Sequence, residues 1–155
     1  MKKYKLGKRE GNDLCRVIAL RDFADVKKGD IGGRIQSKEN LSHEGDAQVS
    51  GNAQVYGDAQ VSGNAQVYGD AQVSGNALVY GDAWVSGDAQ VTRGPINVIM
   101  KPFSITITDN HVQVGCELLR KDHLAQDGLT AAKKYNLDKK TVAKYRAIIK
   151  ALMKT

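Results

Sequence analysis

The chain lacks any run of about 18 apolar residues, so no segment reads as a membrane-crossing helix. Its first residues, MKKYKLGKREGN, carry basic groups with no apolar stretch behind them, and a cytosolic protein that does not engage a membrane is expected. Cysteine occurs only as Cys15 and Cys116, without a CxxC pair or a local histidine partner. Each therefore reads as a small buried hydrophobe rather than a disulfide half or a metal ligand. Aromatic residues make up 6% and proline occurs twice, so a large core has to be built from small aliphatic side chains. The three histidines are isolated from one another, whereas hydration chemistry on zinc needs about three converging on one ion. No metal and no cofactor are expected. At 155 residues the chain can form one domain or a short capped repeat array, not a multidomain enzyme.

What is present is regularity. Eight of the 16 glycines fall at a fixed spacing between Gly45 and Gly87, within GDAQVS GNAQVY GDAQVS GNAQVY GDAQVS GNALVY GDAWVS GDAQVT, eight hexapeptides without an insertion. In each, Ala and Val lie two apart, so an extended segment turns both to one face and the intervening Gln to the other. The Gly-Asp or Gly-Asn pair supplies the permissive backbone and side-chain bonding of a tight corner. One such strand cannot bury its apolar face alone, so successive units coil around a shared interior as a β-solenoid. A 12-residue coil would stack Asp on Asp and Tyr on Tyr at the strand spacing of about 4.8 Å. An 18-residue coil instead places Asn64 between Asp46 and Asp82, and Tyr68 between Ser50 and Ser86; only Asp70 under Asp88 breaks the scheme. Three hexads per coil are therefore expected, giving about 2.7 coils over roughly 13 Å.

These hexads resemble those of the hexapeptide-repeat, left-handed β-helix superfamily, and the resemblance implies the left hand and a homotrimer. The flanks, RVIALRDFADVKKGDIGGRIQSKENLSHEGDA before the repeats and VGCELL with a helix ending KYRAIIKAL after them, are similar to proteins encoded by phages and prophages. The implied setting is the cytoplasm of a bacterial host. The expected fold is mainly β, a left-handed parallel β-helix with an N-terminal β cap and a C-terminal α+β cap, in three parts: 1–44, 45–92 and 93–155.

Charge follows the same division. The first part carries 11 basic and 7 acidic residues, the repeats 5 acidic and no basic, and the last part 12 basic and 5 acidic, which together give the net +6. Segments 3–9 and 14–20 flank Gly11-Asn12-Asp13 as a hairpin, and Ile31 to Ile35 lead into a degenerate first coil with Ile35 and Leu41 at Ala positions and His43 at a Val position. Atypical end units of this kind block the open strand edge of a solenoid. Gly94-Pro95 ends the coils, since proline cannot donate to the next ladder. Strands are expected at 96–100, 104–108 and 111–116, then a helix within 117–135 and a second helix from an Asp138 N-cap through Val142, Tyr145, Ile148, Ile149 and Met153.

Catalytic signals are few. Acyl transfer needs a histidine base within reach of substrate, yet no repeat carries one, and His43, His111 and His123 read as structural. The segment Gly29-Asp30-Ile31-Gly32-Gly33 matches no phosphate-loop pattern and reads as a turn. Residues 129–148, LTAAKKYNLDKKTVAKYRAI, resemble a helix-turn-helix with Ala132 at the close-packed position, Asn136 at the turn, and Lys139, Lys140 and Lys144 facing DNA. A basic helical hairpin used as a cap accounts for the same pattern. Leu78 and Trp84 replace the outward Gln of their hexads and mark a buried or inter-subunit surface.

Without a catalytic set, the expectation is a non-enzymatic homotrimer. Its basic flanks or threefold clefts hold an anionic small ligand, most concretely a nucleotide-type immune signal sequestered as an anti-defence sponge. Arg34, Arg93, Lys101 and Arg120 are the expected ligand contacts, because guanidinium forks suit phosphate and these residues lie near the ends of the repeat. Two alternatives stay open: DNA binding through the C-terminal helices, and a hexapeptide-type acyltransferase acting through His43 or His111.

Overall fold

Each hexad folds as a two-residue strand followed by a glycine corner. The computed structural model describes residues 2–94, 96–98, 105–115, 117–124, 128, 130 and 133–153. Eight short strands occupy the repeat: β4 (Gln48–Val49), β5 (Gln54–Val55), β6 (Gln60–Val61), β7 (Gln66–Val67), β8 (Gln72–Val73), β9 (Leu78–Val79), β10 (Trp84–Val85) and β11 (Gln90–Val91). The corner glycines from Gly45 to Gly87 all lie at φ between 60 and 73°, the left-handed region that favours glycine. At Gly45 a Cβ would come within 2.5 Å of the carbonyl oxygen of Gly63, so stacking as well as conformation excludes a side chain.

Pairing is parallel, and each residue meets the one eighteen positions further on. Gln48 faces Gln66 and Gln66 faces Trp84; Gln60 faces Leu78; Gln54 faces Gln72 and Gln72 faces Gln90. The result is a parallel β-solenoid of about three turns, whose Ala and Val side chains are buried in a single core. At the corners, Asn52 Nδ2 donates to Asp70 Oδ1 at 3.2 Å and Asn64 Nδ2 to Asp82 Oδ1 at 3.1 Å. An amide stacked on a carboxylate supplies a donor where a second carboxylate would repel.

Successive coils are joined at the strand ends and corners by N–H groups that donate onward, as when the N–H of Gln48 donates to Ala65 and that of Asn64 to Gly81. Each end coil lacks a further coil to pair with, and the backbone groups left open there need partners. The N-terminal part supplies donors. Strands β1 (Tyr4–Arg9) and β2 (Cys15–Ala19) form an antiparallel hairpin that continues through β3 (Ile31–Ile35) into the six-stranded sheet β1-β2-β3-β5-β8-β11. Lys3 Nζ donates to the Ala47 and Gly45 carbonyls at 2.7 and 3.3 Å, and an Arg16 guanidinium nitrogen to Gly51 at 2.8 Å. The backbone of Arg34, Gln36 and Ser42 serves Ala53, Val55 and Val61, and the buried Asn40 amide serves Gly57 and Ala59. The other end receives both: Asn110 Oδ1 takes the N–H of Gln90 at 2.7 Å and Asp109 Oδ2 that of Thr92 at 2.6 Å, while the Asp109 N–H donates to the Gln90 carbonyl at 2.9 Å and Asn110 Nδ2 to that of Asp88 at 3.2 Å.

Beyond the repeats, β12 (Ile96–Val98), β13 (Ile105–Ile107), β14 (His111–Val114) and β15 (Glu117–Arg120) form an antiparallel sheet in that order. One face, carrying Ile105, Ile107 and Val112, packs on Tyr145 and Ile149 of helix α1 (Lys139–Leu152) in a second core. The opposite, polar face meets the last coil, where Ser86 Oγ bonds Gln113 at 3.2 Å. Helix α1 starts as expected, with Asp138 Oδ1 accepting from the N–H of Thr141.

Three local expectations change. Ile35 and Leu41 face Val55 and Val61, twenty positions on rather than eighteen. They therefore take Val places; the corner between them keeps the regular length and its 3-10 turn Lys38–Asn40 presents Asn40 to the ladder, while the two extra residues fall between Leu41 and Val49, which pairs with Val67 at the regular eighteen. His43 is displaced from the ladder and stacks on the Tyr4 ring at 4.2 Å. The helix expected within 117–135 does not begin at 117: residues 117–120 are a strand, because Val112 and Gln113 of β14 take Leu119 and Leu118 as partners, and helical residues follow from Leu124. Cys15 is buried and free; Cys116, Lys101 and Ala132 lie outside the described residues.

Candidate functional site

Arg34 projects from β3 in register with Gln54, at the head of the outward column Gln54-Gln72-Gln90. The hairpin tip at Gly11–Asp13 overhangs this face and leaves a groove of about 520 Å³ lined by Glu10, Asn12, Arg34, Asn52, Asp70 and Gln72. Arg34 Nε donates to Glu10 Oε2 at 2.8 Å, and Arg16 Nε lies 3.8 Å from the other carboxylate oxygen. The Arg34 bond is the largest reason why the Glu10 carboxyl sits below its ordinary value, and the charges of Arg34 and Arg16 act in the same direction. An anion entering here meets a guanidinium already bonded and Asp70 beside it. A second groove of about 500 Å³ lies between the loop after β2 and the Gln48-Gln66 column, with Phe23, Asp25, Asp30 and Tyr68 on its walls. Neither groove is lined by a histidine.

Arg120 belongs to a different cluster, at the far end of the solenoid. Asp88 stands above Asp70, where no Asn intervenes, and the cap fills the gap: His111 Nε2 lies 3.1 Å from Asp88 Oδ1 and Arg120 4.0 Å from Oδ2. Arg120 is also held by Asp122 at 3.2 Å. The His111 side chain is 2% exposed and its Nδ1 is buried without a hydrogen-bond partner. Burial lowers its pKa first and Arg120 adds to that, against Asp88 and Asp122, so a neutral imidazole donates from Nε2 to Asp88. The same histidine is closed off from any substrate. His43 has burial and the nearby Lys3 and Lys2 holding its pKa down, and its Nδ1 accepts the Lys3 N–H at 3.3 Å.

A third surface carries Leu78, Tyr80 and Arg93. Leu78 points outward in the Gln60 column and is 48% exposed, and Tyr80, two residues on, is 65% exposed. A Cβ on Gly75 would lie 2.9 Å from the carbonyl oxygen of Thr92, and one on Gly94 3.6 Å from that of Leu78. Residues 92–94 therefore run directly above 75–78, which puts the exposed Arg93 on the edge of this face. Trp84 tops the neighbouring Gln48-Gln66 column and is half-buried. The three described candidates are thus not gathered in one place: Arg34 and Arg120 sit at opposite ends in ion pairs, and Arg93 joins Leu78.

Among protein families, the YdcK beta solenoid repeat matches residues 47–63 and 71–87, segments that lie within the coils described above. The chain is a β-solenoid repeat protein. A search of curated proteins finds no match. The matched segments cover solenoid alone, so the similarity describes the scaffold and leaves the caps and the exposed face to be read from their own geometry. Among the described residues no group of three His, Cys, Asp or Glu converges as metal ligands, and no helix is long and apolar enough to cross a membrane.

Sequence reasoning missed the partner of Asp88 and the exposure of Tyr80. The Asp70-Asp88 break in the alternation was the available signal for the first, because a like-charge step calls for a cation or donor from elsewhere. Tyr80 was hidden by its periodicity: Tyr56 and Tyr68 occupy the same hexad position but are half-buried.

Proposed function

We propose that this protein is a non-enzymatic binding protein, a left-handed β-helix of the hexapeptide type with three hexads per coil. In this reading it assembles as a homotrimer and holds an anionic, nucleotide-type ligand at its inter-subunit clefts. The observation that carries the reading is the Leu78-Tyr80-Arg93 face, where an exposed aromatic ring, an exposed aliphatic side chain and an exposed guanidinium share one side of the solenoid. A ring offers a stacking platform to a base and a guanidinium offers a fork to a phosphate. A neighbouring protomer laid on Leu78 closes the cleft, and threefold symmetry repeats it. A phage-borne protein of this kind in a bacterial cytoplasm fits sequestration of a nucleotide immune signal.

The test is to denature protein purified from its natural host and identify released small molecules by mass spectrometry, then to measure binding of what is found. A nucleotide-type anion is expected, with Arg93→Ala weakening binding by about 1.5 to 3 kcal/mol through loss of a charge-assisted bond. An empty protein that binds no nucleotide of a broad panel refutes the reading.

A further inference from the structure

Helix α1 has two faces of opposite character. Tyr145 and Ile149 are buried against the C-terminal sheet, with Ile148 and Leu152 packed beside them. The outward side carries Lys139, Lys140, Lys144, Arg146 and Lys150, all exposed, and none of the ion pairs among the described residues includes any of them. From 133 to 155 the sequence holds eight basic residues and one acidic residue, Asp138, whose carboxylate is taken by the N–H and hydroxyl of Thr141.

The cations at the start of the helix do not serve the helix itself. Lys139 and Lys140 occupy the first turn, at the positive end of the helix dipole, where cations are unfavourable. No acidic residue stands three or four positions away to pair with them, so the usual helix-surface exchange of charge is absent. Just before the helix, Asn136 turns the chain at φ 49°, and Lys133 and Lys134 are helical on its other side. A tight turn thus delivers the N-terminal end of a basic helix to the surface, which is the end that a groove-reading helix presents to base edges.

We propose that the exposed face of α1 is a docking surface for duplex DNA, a second site separate from the Leu78-Tyr80-Arg93 face. Charge complementarity selects the occupant. Five cations are spread over about 16 Å of helix from Lys139 to Lys150, and a duplex carries one phosphate charge per about 1.7 Å of its axis. A lipid surface is disfavoured, because a helix lying in an interface inserts its apolar side, and here that side is buried on the sheet. A single strand is disfavoured as well, because such sites stack bases on aromatic rings, and the outward face of α1 has none; Tyr145 is buried.

The experiment titrates a labelled 20-base-pair duplex with the full chain between 50 and 200 mM salt, reading anisotropy. Binding is expected to weaken with salt at a log-log slope of at least about 2.7, the value for three phosphate contacts. K139A/K140A/K144A should lose tenfold or more at 100 mM salt and flatten the slope by about 0.9 per contact removed. K139R/K140R/K144R should bind like the parent, and Arg93→Ala should leave duplex binding unchanged. The proposal is overturned by no duplex binding at 50 mM salt, by a parent slope shallower than about 2, or by undiminished binding in the alanine variant. Equal or tighter binding to phosphatidylserine vesicles, to a single strand or to poly-glutamate also overturns it. Failure of Arg93→Ala to release a nucleotide bears on the proposed function and not on this site.

Discussion

Lys3 is fully buried and keeps its amine on the carbonyls of Ala47 and Gly45, 4.8 Å over the ring of Phe23. Burial, with Arg21 adding to it and Asp46 opposing, lowers its pKa to about 8. Tyr4, beside it in sequence, bonds the Leu41 carbonyl at 2.6 Å, and burial raises its pKa to about 12. The two shifts shape stability in alkali. Between about 8 and the ordinary lysine value of 10.5 the unfolded chain binds more protons at Lys3 than the folded one, so stability rises with pH across that window. Below about 8 the cost of burying the charge is fully present. Above 10 the unfolded tyrosine ionises while Tyr4 stays protonated up to about 12, so its contribution to stability falls with further pH. Urea denaturation between pH 7 and 11.5 is therefore expected to show stability climbing toward pH 10 and then declining, and Lys3→Met should flatten the climb. A climb unchanged in Lys3→Met means that Lys3 does not cause it.

At the scale of elements, the repeats were legible because each hexad states its own geometry: Ala and Val inward, Gln outward, Gly at the corner. The Asp and Asn alternation favoured an eighteen-residue spacing, the spacing at which Gln48, Gln66 and Trp84 pair. The capping segments were less legible, since their residues answer to the solenoid ends rather than to a period. Ile35 and Leu41 sit two residues out of phase because two extra residues lie between Leu41 and Val49, after which the ladder keeps the eighteen-residue spacing. Asn40, in the corner between Ile35 and Leu41, answers to the Gly57 and Ala59 carbonyls rather than to a hexad pattern. Residues 117–120 became a strand because β14 offered an open edge, a tertiary demand that overrides local pattern. The candidate site was half legible. Leu78 stood out by replacing Gln, and Arg93 by its place at the end of the repeats, but that Arg34 would be bonded to Glu10 depended on a hairpin fold 24 residues away. The inward and outward faces are open to a direct check. Val67→Asp places an unpaired charge in the core and should cost about 3 to 5 kcal/mol, whereas Gln54→Asp on the outer face should stay within about 1 kcal/mol. Equal denaturation midpoints for the two variants contradict the assigned faces.

For the whole molecule, charge and packing divide along the same lines. An acidic solenoid is held between a basic hairpin and a basic C-terminal part, and each cap hydrogen-bonds the open backbone groups of the coil it covers. The core is about three turns deep and is built of Ala and Val through the hexads, with larger side chains, Tyr4, Ile35 and Leu41, only at the N-terminal end; it encloses little apolar surface per residue, so stability borrowed from a neighbouring protomer is expected to matter. Leu78 is the side chain on which that expectation can be decided. It lies on the outside of β9 in register with Gln60, so a polar replacement restores the residue type that the column carries elsewhere and leaves the core of a single protomer untouched. Light scattering of the parent protein at micromolar concentration should report a trimer of about 50 kDa rather than the 16.8 kDa of one chain, and its melting temperature should rise with protein concentration. Leu78→Arg sets three like charges against one another across the interfaces. It should shift the mass to that of one chain and remove the concentration dependence while keeping the β-sheet circular dichroism. A parent protein that is monomeric, or a Leu78→Arg variant that stays trimeric with unchanged melting, means that the Leu78-Tyr80-Arg93 face is not where protomers meet.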